Sequence, residues 1–526
     1  MSDRVAPGAI VTLLALVALV GGVAAVEALF PSPLRQNAII GQGPVSAGTW
    51  YCPVTAGQDE QALLTVAAVG REPSTVVLTR YEDRKAVEDP PVMVADGEAL
   101  EVPLKGAEAT QPIVVRWQGG PAVAHWSVSG AGDSAAAGCE PGPSQKWHVT
   151  GFDTTIGSKA TLYLFNPYGE DAVARLRFST PEGLVDLVIA DNQLVPGGSS
   201  TPIDLSEFQP EESDLGVTVE VLTGRLVAQG QVVRDGGAGG RALLRGAPSA
   251  ALHWDVAHVR ADDTSAAWLS VQNPSDREAA IEVQVSDPRA EGNALLGEMS
   301  VPSGGLVRID LSGVSSKPDF GLAVMSVNET PVVVSVFWTL RGPEGRGLAA
   351  ALAAPGPSTE WALAGGGTAG RSGEVSIYNP GAEDATVTVL SPKGRLAEWS
   401  GLVVRPNRRV TVDLAAAGRA LSAVPVRVVS DRPIVAELRS LRTTGTLELW
   451  TSIGVPAVDW TGPPTRPPVR LDPSLQTTAV QAPMTPPPDE FDPADLDLPS
   501  PVATPPTPGD DQDTTTDADP AADPDT

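Results

Sequence analysis

The chain has 526 residues, with 36 Lys and Arg against 64 Asp and Glu, a formal net charge of -28, and only 2 Cys. That acidity, without a clustered basic stretch, excludes nucleic acid as a partner, because phosphate binding needs a concentrated positive surface. The length allows roughly three to five ordinary domains.

At the N-terminus, Val5 to Val26 carries no charge and is mostly aliphatic. At helical rise this run is about 33 Å long, enough to cross a hydrocarbon core of roughly 30 Å. Residues 1–30 are therefore read as a signal anchor or transmembrane helix, with Val23-Ala24-Ala25 leaving a cleaved signal peptide as the alternative. The positive charge, Arg4, lies on the short N-terminal side, which places the remainder outside. The expected location is the cell membrane, single-pass with an extracellular ectodomain, or secretion if the segment is cleaved. Residues 31–48 form a polar spacer.

Beyond the spacer, one pattern is stated three times. A Trp (Trp147, Trp254, Trp361) precedes an alternating run ending in Asn-Pro (Asn166, Asn273, Asn379), then an aliphatic-Asp-Leu triplet (Asp204, Asp310, Asp413). The Trps stand 107 and 107 residues apart, the Asns 107 and 106, and the Asps 106 and 103, so the marks keep register as an internal repeat. A divergent first copy opens at Trp50, lacks the Asn-Pro pair and alone carries Cys52 and Cys139. Two isolated cysteines at the ends of one copy, in an exported chain, predict a disulfide. The implied units are 49–145, 146–250, 251–358 and 359–460, and their short links favour stacking over a flexible string.

Within a copy, Leu162/Leu164, Leu269/Val271 and Val375/Ile377 alternate with Tyr163/Phe165, Ser270/Gln272 and Ser376/Tyr378. A period of two predicts a strand with one buried face, ended by the Pro. An Ala six residues after each Asn (Ala172, Ala279, Ala385) opens a further run, which predicts a hairpin. Thr330-Pro331 and Arg432-Pro433 read as turns before the next strand. Each copy holds about seven short strands and no convincing amphipathic helix. The predicted fold is all-β: tandem immunoglobulin- or fibronectin-like β-sandwich modules, with a β-propeller of two blades per repeat as the alternative. Residues 461–526 contain 13 acidic residues, 2 Arg and 17 Pro, too little apolar surface to offset ordering, and read as a disordered acidic tail.

Candidate chemistry is sparse. His125, His148, His253 and His258 share no common place in the repeat. Asp204, Asp310 and Asp413 recur without the neighbouring acids that calcium needs, so they are read as turn caps, and Asn166, Asn273 and Asn379 likewise as structural. Trp50, Trp147, Trp254, Trp361 and Trp460 stand at module boundaries and are read as packing at the junctions, with stacking against sugar rings as the alternative. No nucleophile, phosphate loop or metal motif is present, so no catalytic, cofactor or metal residue is assigned.

The single N-terminal span, Trp50-Tyr51-Cys52-Pro53, the repeated Asn-Pro pairs and Pro433-Ile434-Val435-Ala436 together resemble an uncharacterised family of single-span secreted proteins of high-GC Gram-positive bacteria. The resemblance covers about Trp50 to Trp460; it implies a compartment and a domain of unknown function, and no site residues. The expected role is a non-enzymatic envelope scaffold or interaction module, held to the membrane by the N-terminal helix, with another envelope protein or wall glycan as partner. The alternatives are a carbohydrate-binding accessory protein and an envelope hydrolase with an unrecognised acid pair.

Overall fold

The computed structural model describes residues 47–456, apart from 54–55, 58–59, 71, 131–132, 236–238, 288–293, 343–344, 366–371, 392–393, 396–398, 415–424 and 443–447. The expected membrane segment at 5–26, Trp460 and the acidic tail lie outside these residues. Among the described residues no helix is long and apolar enough to cross a membrane. They fall within one compact unit, and it is all-β.

The strands pair antiparallel into sheets that stack two by two as sandwiches. In the second copy one sheet runs in the order Lys146–Phe152, Leu215–Thr223, Ala172–Thr180, Gly183–Asp186. The other runs Ser199–Asp204, Ser158–Asn166, Val227–Arg234, Gly240–Arg245. The first and third copies repeat this order, and none of these sheets is the sequential meander of a propeller blade. The strands flanking Asn-Pro do not form the expected hairpin: Ser158–Asn166 and Ala172–Thr180 belong to different sheets, so the Pro turns the chain from one layer to the other. In the fourth copy both layers share one strand, Val426–Arg442, and join into a nine-stranded sheet. The turn expected at Arg432-Pro433 is instead a register break in that strand, between Val429 opposite Glu360 and Ile434 opposite Ser358. A proline there sits where the strand changes layer and no ladder donor is needed.

The alternation in Ser158–Asn166 does not separate core from solvent. Every residue from Ala160 to Asn166 is buried, as is every residue of Ala267–Gln272. Leu162 and Leu164 face the sandwich interior, whereas Tyr163 joins the core of the first copy and Phe165 meets Tyr81 edge-on at 5.5 Å. The second face is a seam with the preceding copy. Seams recur around the molecule: Trp268 and Phe337 of the third copy pack in the core of the second, and Ala257 of the third packs in the core of the fourth.

The last seam closes the set. Ala362 and Ala364 of the fourth copy lie in the core of the first, and Ala136 of the first lies in that of the fourth. The final strands of the copies, Ser134–Gly138, Gly240–Arg245, Gly345–Leu352 and Glu448–Ile453, each lie beside the next, and the last returns to the first. The four copies thus form a ring rather than a rod. Strands converging on a common axis leave room only for small side chains, and Ala135, Ala136, Ala137, Ala349, Ala350 and Ala351 occupy those positions. At Gly240, φ is +144° and a Cβ would stand 2.5 Å from the backbone nitrogen of Leu348, so only glycine permits this approach.

Candidate functional site

The repeated residues serve the framework. Trp50, Trp147, Trp254 and Trp361 are at most 6 % exposed and lie in the cores of their own copies, not at the junctions. Their Nε1 groups donate to Ala122 O (2.8 Å), Leu226 O, Val332 O and Ile434 O (each 2.7 Å). These carbonyls lie where the chain passes between layers, and the indole satisfies an acceptor there while filling the space beside it. Such burial also denies these Trps to a sugar ring.

Each Asn closes a layer change. Asn273 Nδ2 donates to the carbonyls of Arg277 (2.7 Å), Val301 and Pro302 (each 3.1 Å), and its Oδ1 accepts from Ser275 N (3.0 Å). Asn166 and Asn379 bond the carbonyls of Glu170 and Glu383 at 2.7 Å in the same way. A short side chain with both donor and acceptor is the requirement, which is why the position is amide. Asp204 and Asp310 accept from Ser206 N and Ser312 N at 3.0 and 2.9 Å, as Asx turns at strand ends; Asp413, exposed, ends Arg408–Asp413. Cys52 and Cys139 form a disulfide beside the Tyr51–Glu140 bridge. The second and third copies hold the corresponding closure by backbone bonds alone, His148 with Ala247 and Asp255 with Ala354.

Ionisable groups concentrate in the seams. Between the first two copies, Arg245 bonds Glu140 at 2.8 and 3.1 Å, Gln229 Nε2 donates to Glu140 (3.1 Å) and Gly138 O (2.9 Å), and Tyr81 donates to Pro167 O (3.0 Å). Between the second and third, Ser270 Oγ donates to Asp214 (2.8 Å) and meets Thr150 Oγ1 at 2.7 Å, while Gln272 Nε2 bonds Ser179 and Thr218. Phe337 stacks on Trp268 at 5.4 Å, and Gly151, at φ +95°, leaves room for the Phe337 ring. Between the third and fourth, Glu437 accepts from His258 N (3.1 Å); on the fourth copy's side of that seam Glu437 also accepts from Thr451, Arg409 donates to Ser376 (2.9 Å), and Arg439 pairs with Glu374.

Burial sets the charge state of these groups. It lifts the Asp214 carboxyl to about 7 against the opposing Ser270 bond and the Arg308 and Arg234 charges. Glu437 rises to about 7 for the same reason, opposed by Thr451, the backbone of His258 and Arg409. Burial lowers His148 to about 4, and holds His258 well below the usual imidazole range with help from Arg409 and Arg439. The two raised carboxyls sit in different seams and do not face one another. Among the described residues no group of three or more His, Cys, Asp or Glu is placed to hold a metal. Apart from Pro167, whose carbonyl Tyr81 reaches, the seam residues named here carried no repeated mark in the sequence; Ser270, Gln272 and Ser376 showed only as polar residues alternating with core residues.

One concave site interrupts this packing. A cavity of about 370 Å³ opens at the first seam, lined by Glu60, Lys159, Tyr163, Gln231, Asp235 and Arg241, among others. Arg241, 5 % exposed, is held by Glu60 and by Asp133 at 3.2 Å. Tyr163 donates to Gln231 Oε1 at 3.2 Å.

A model of a family of unknown function, DUF5719, matches residues 108–343 and 325–447, more than half of the chain. The chain belongs to this family. The two matched ranges span the described ring from the end of the first copy through most of the fourth. None of the curated proteins compared with the chain matches it. The native alpha-2-macroglobulin of E. coli aligns with 79 % of this family member at 11 % identity and a TM-score of 0.11, covering 30 % of that chain. Salmonella alpha-2-macroglobulin reacted with methylamine aligns likewise, at 11 % identity and a TM-score of 0.12, over 33 % of its length. The family member thus spans about a third of those proteins.

Proposed function

We propose that this chain is a non-enzymatic cell-envelope protein, a ring-shaped ectodomain that presents a rigid surface to another envelope component. The observation that carries the reading is the use of the buried ionisable groups. The Glu140, Asp214 and Glu437 carboxyls accept across seams from Arg245, Ser270 and the backbone of His258, and the His258 imidazole meets Ser376 Oγ across the same seam, so these groups hold copies together. The Cys52–Cys139 disulfide fits an oxidising compartment, and the apolar stretch at 5–26 supplies export and, uncleaved, an anchor. An acidic surface suits a cationic or hydrogen-bonding partner better than an anionic one.

Thiol labelling of intact cells with a membrane-impermeant maleimide tests the compartment. The proposal expects labelling of Cys52 and Cys139 only after external reduction; free thiols reached only after lysis would overturn it. Proximity labelling from the ectodomain in living cells should then enrich envelope proteins over cytosolic ones.

A further inference from the structure

The ring is built from copies, so a departure from the repeated packing marks where something other than folding is served. Five residues before each repeat Asn, a cross-strand pair occupies one register position on the seam side. In the third copy it is Trp268 opposite Phe337, and the rings stack to fill the space. The fourth copy places Glu374 opposite Arg439, closed as an ion pair. In the second copy it is Thr161 opposite Gln231, and there the seam opens into the cavity. Gln231 is 6 % exposed, and its buried Nε2 has no hydrogen-bond partner among the described residues. A buried donor left unmade in water-excluding surroundings is destabilising, and a bound acceptor removes that penalty.

We propose that this cavity binds one neutral sugar residue. Its volume lies within the range of small-ligand sites, roughly 300–1,000 Å³. The charges that line it balance, Glu60 and Asp235 against Lys159 and Arg241, and Arg241 is already committed to Glu60 and to Asp133 behind the lining. A net anion or cation therefore gains little from the site. Lys159 and Asp235 are exposed at the mouth, where water weakens ion pairing with a zwitterion but leaves both groups able to bond hydroxyls. Gln231 Nε2 and Lys159 Nζ supply donors, and the Asp235 carboxylate supplies an acceptor. Vicinal hydroxyls, each both donor and acceptor, match that alternation. Half-buried Val233 in the lining provides an apolar contact for the C–H face of a pyranose, beside the edge of the packed Tyr163. The inference goes beyond the envelope role proposed above and does not depend on it, since it is read on purified protein.

The test is ligand-observed NMR and titration calorimetry on the full chain, with glucose, galactose, mannose and N-acetylglucosamine as probes and glycine, glutamate and inorganic phosphate as competitors. At least one neutral sugar should bind saturably at one site, and Gln231→Leu, which also removes the acceptor of the Tyr163 hydroxyl, should weaken it about tenfold or more in protein that remains folded. Asp235→Asn, an exposed change that leaves the framework intact, should weaken the same sugar about threefold or more and serves if Gln231→Leu fails to fold. Absence of saturable binding by every sugar, preferential binding of an amino acid or phosphate, or sugar binding indifferent to both substitutions would each overturn the assignment.

Discussion

Replacing Asn273 by Ala tests the role assigned to the Asn-Pro mark. Asn273 is 0 % exposed, and its side chain serves three carbonyls and one amide N–H at 2.7 to 3.1 Å. Alanine leaves those groups without this partner and opens a small void. With about 1–3 kcal/mol for each buried group left unsatisfied, and relaxation recovering part of it, the expected loss is about 3–5 kcal/mol. Asn273→Asp should be at least as damaging, because it keeps the acceptor for Ser275 but turns an oxygen toward three carbonyls and buries a charge. The assay is urea unfolding followed by Trp fluorescence, with hydrogen exchange at the Ser275 amide to localise the effect. A loss below about 1 kcal/mol for the alanine variant, with Ser275 still protected, would mean that these bonds are not what fixes the layer change.

Removing the disulfide by Cys52→Ser with Cys139→Ser should cost about 4–5 kcal/mol in the chain-entropy account of a long loop, read as a lower unfolding midpoint; no change would contradict a constraining role. Trp254→Ala should cost about 3–5 kcal/mol by emptying a core site and leaving Val332 O without its indole donor. Burial raises the Glu437 pKa in the folded state to about 7 from its ordinary value of 4.5, so the folded state holds the proton more tightly. Its contribution to stability is fully present below about 4.5 and is lost as pH rises through about 7. Glu437→Gln should therefore flatten the pH dependence in that window, and an unaltered slope would contradict it. His148, lowered to about 4 from 6.5, acts in the opposite sense: its contribution is present above 6.5 and lost as pH falls through about 4, which His148→Gln should abolish.

The all-β sandwich and its period were legible because they rest on local alternation and turn chemistry. So was the Cys52–Cys139 pairing, since isolated cysteines left one choice. What the second face of each strand meets was not legible. Tyr163, Ser270 and Ser376 occupy one register position with dissimilar side chains, and a seam against another copy reads locally like a half-exposed surface. The Trps were misplaced at the junctions for a related reason: they stand beside the links in sequence, yet the layer crossings at Leu226, Val332 and Ile434 draw them into their own cores. Ring closure depends on Ala136, Ala362 and Ala364, and alanines that fit a crowded seam carry no mark distinguishing them from alanines elsewhere. The cavity was hidden in the same way, because Gln231 differs from Phe337 and Arg439 only once the register aligns them.

The fourth copy returns to the first and closes the ring. Asp96 of the first copy lies close enough to Arg427 of the fourth to feel its charge. Cysteines at Asp96→Cys and Arg427→Cys, in protein whose native pair is oxidised, should be joined within one chain by a short bis-maleimide and recovered as a single linked peptide pair by mass spectrometry. Efficient linkage at low protein concentration is the result a closed ring predicts; labelled but unlinked cysteines in folded protein would contradict it.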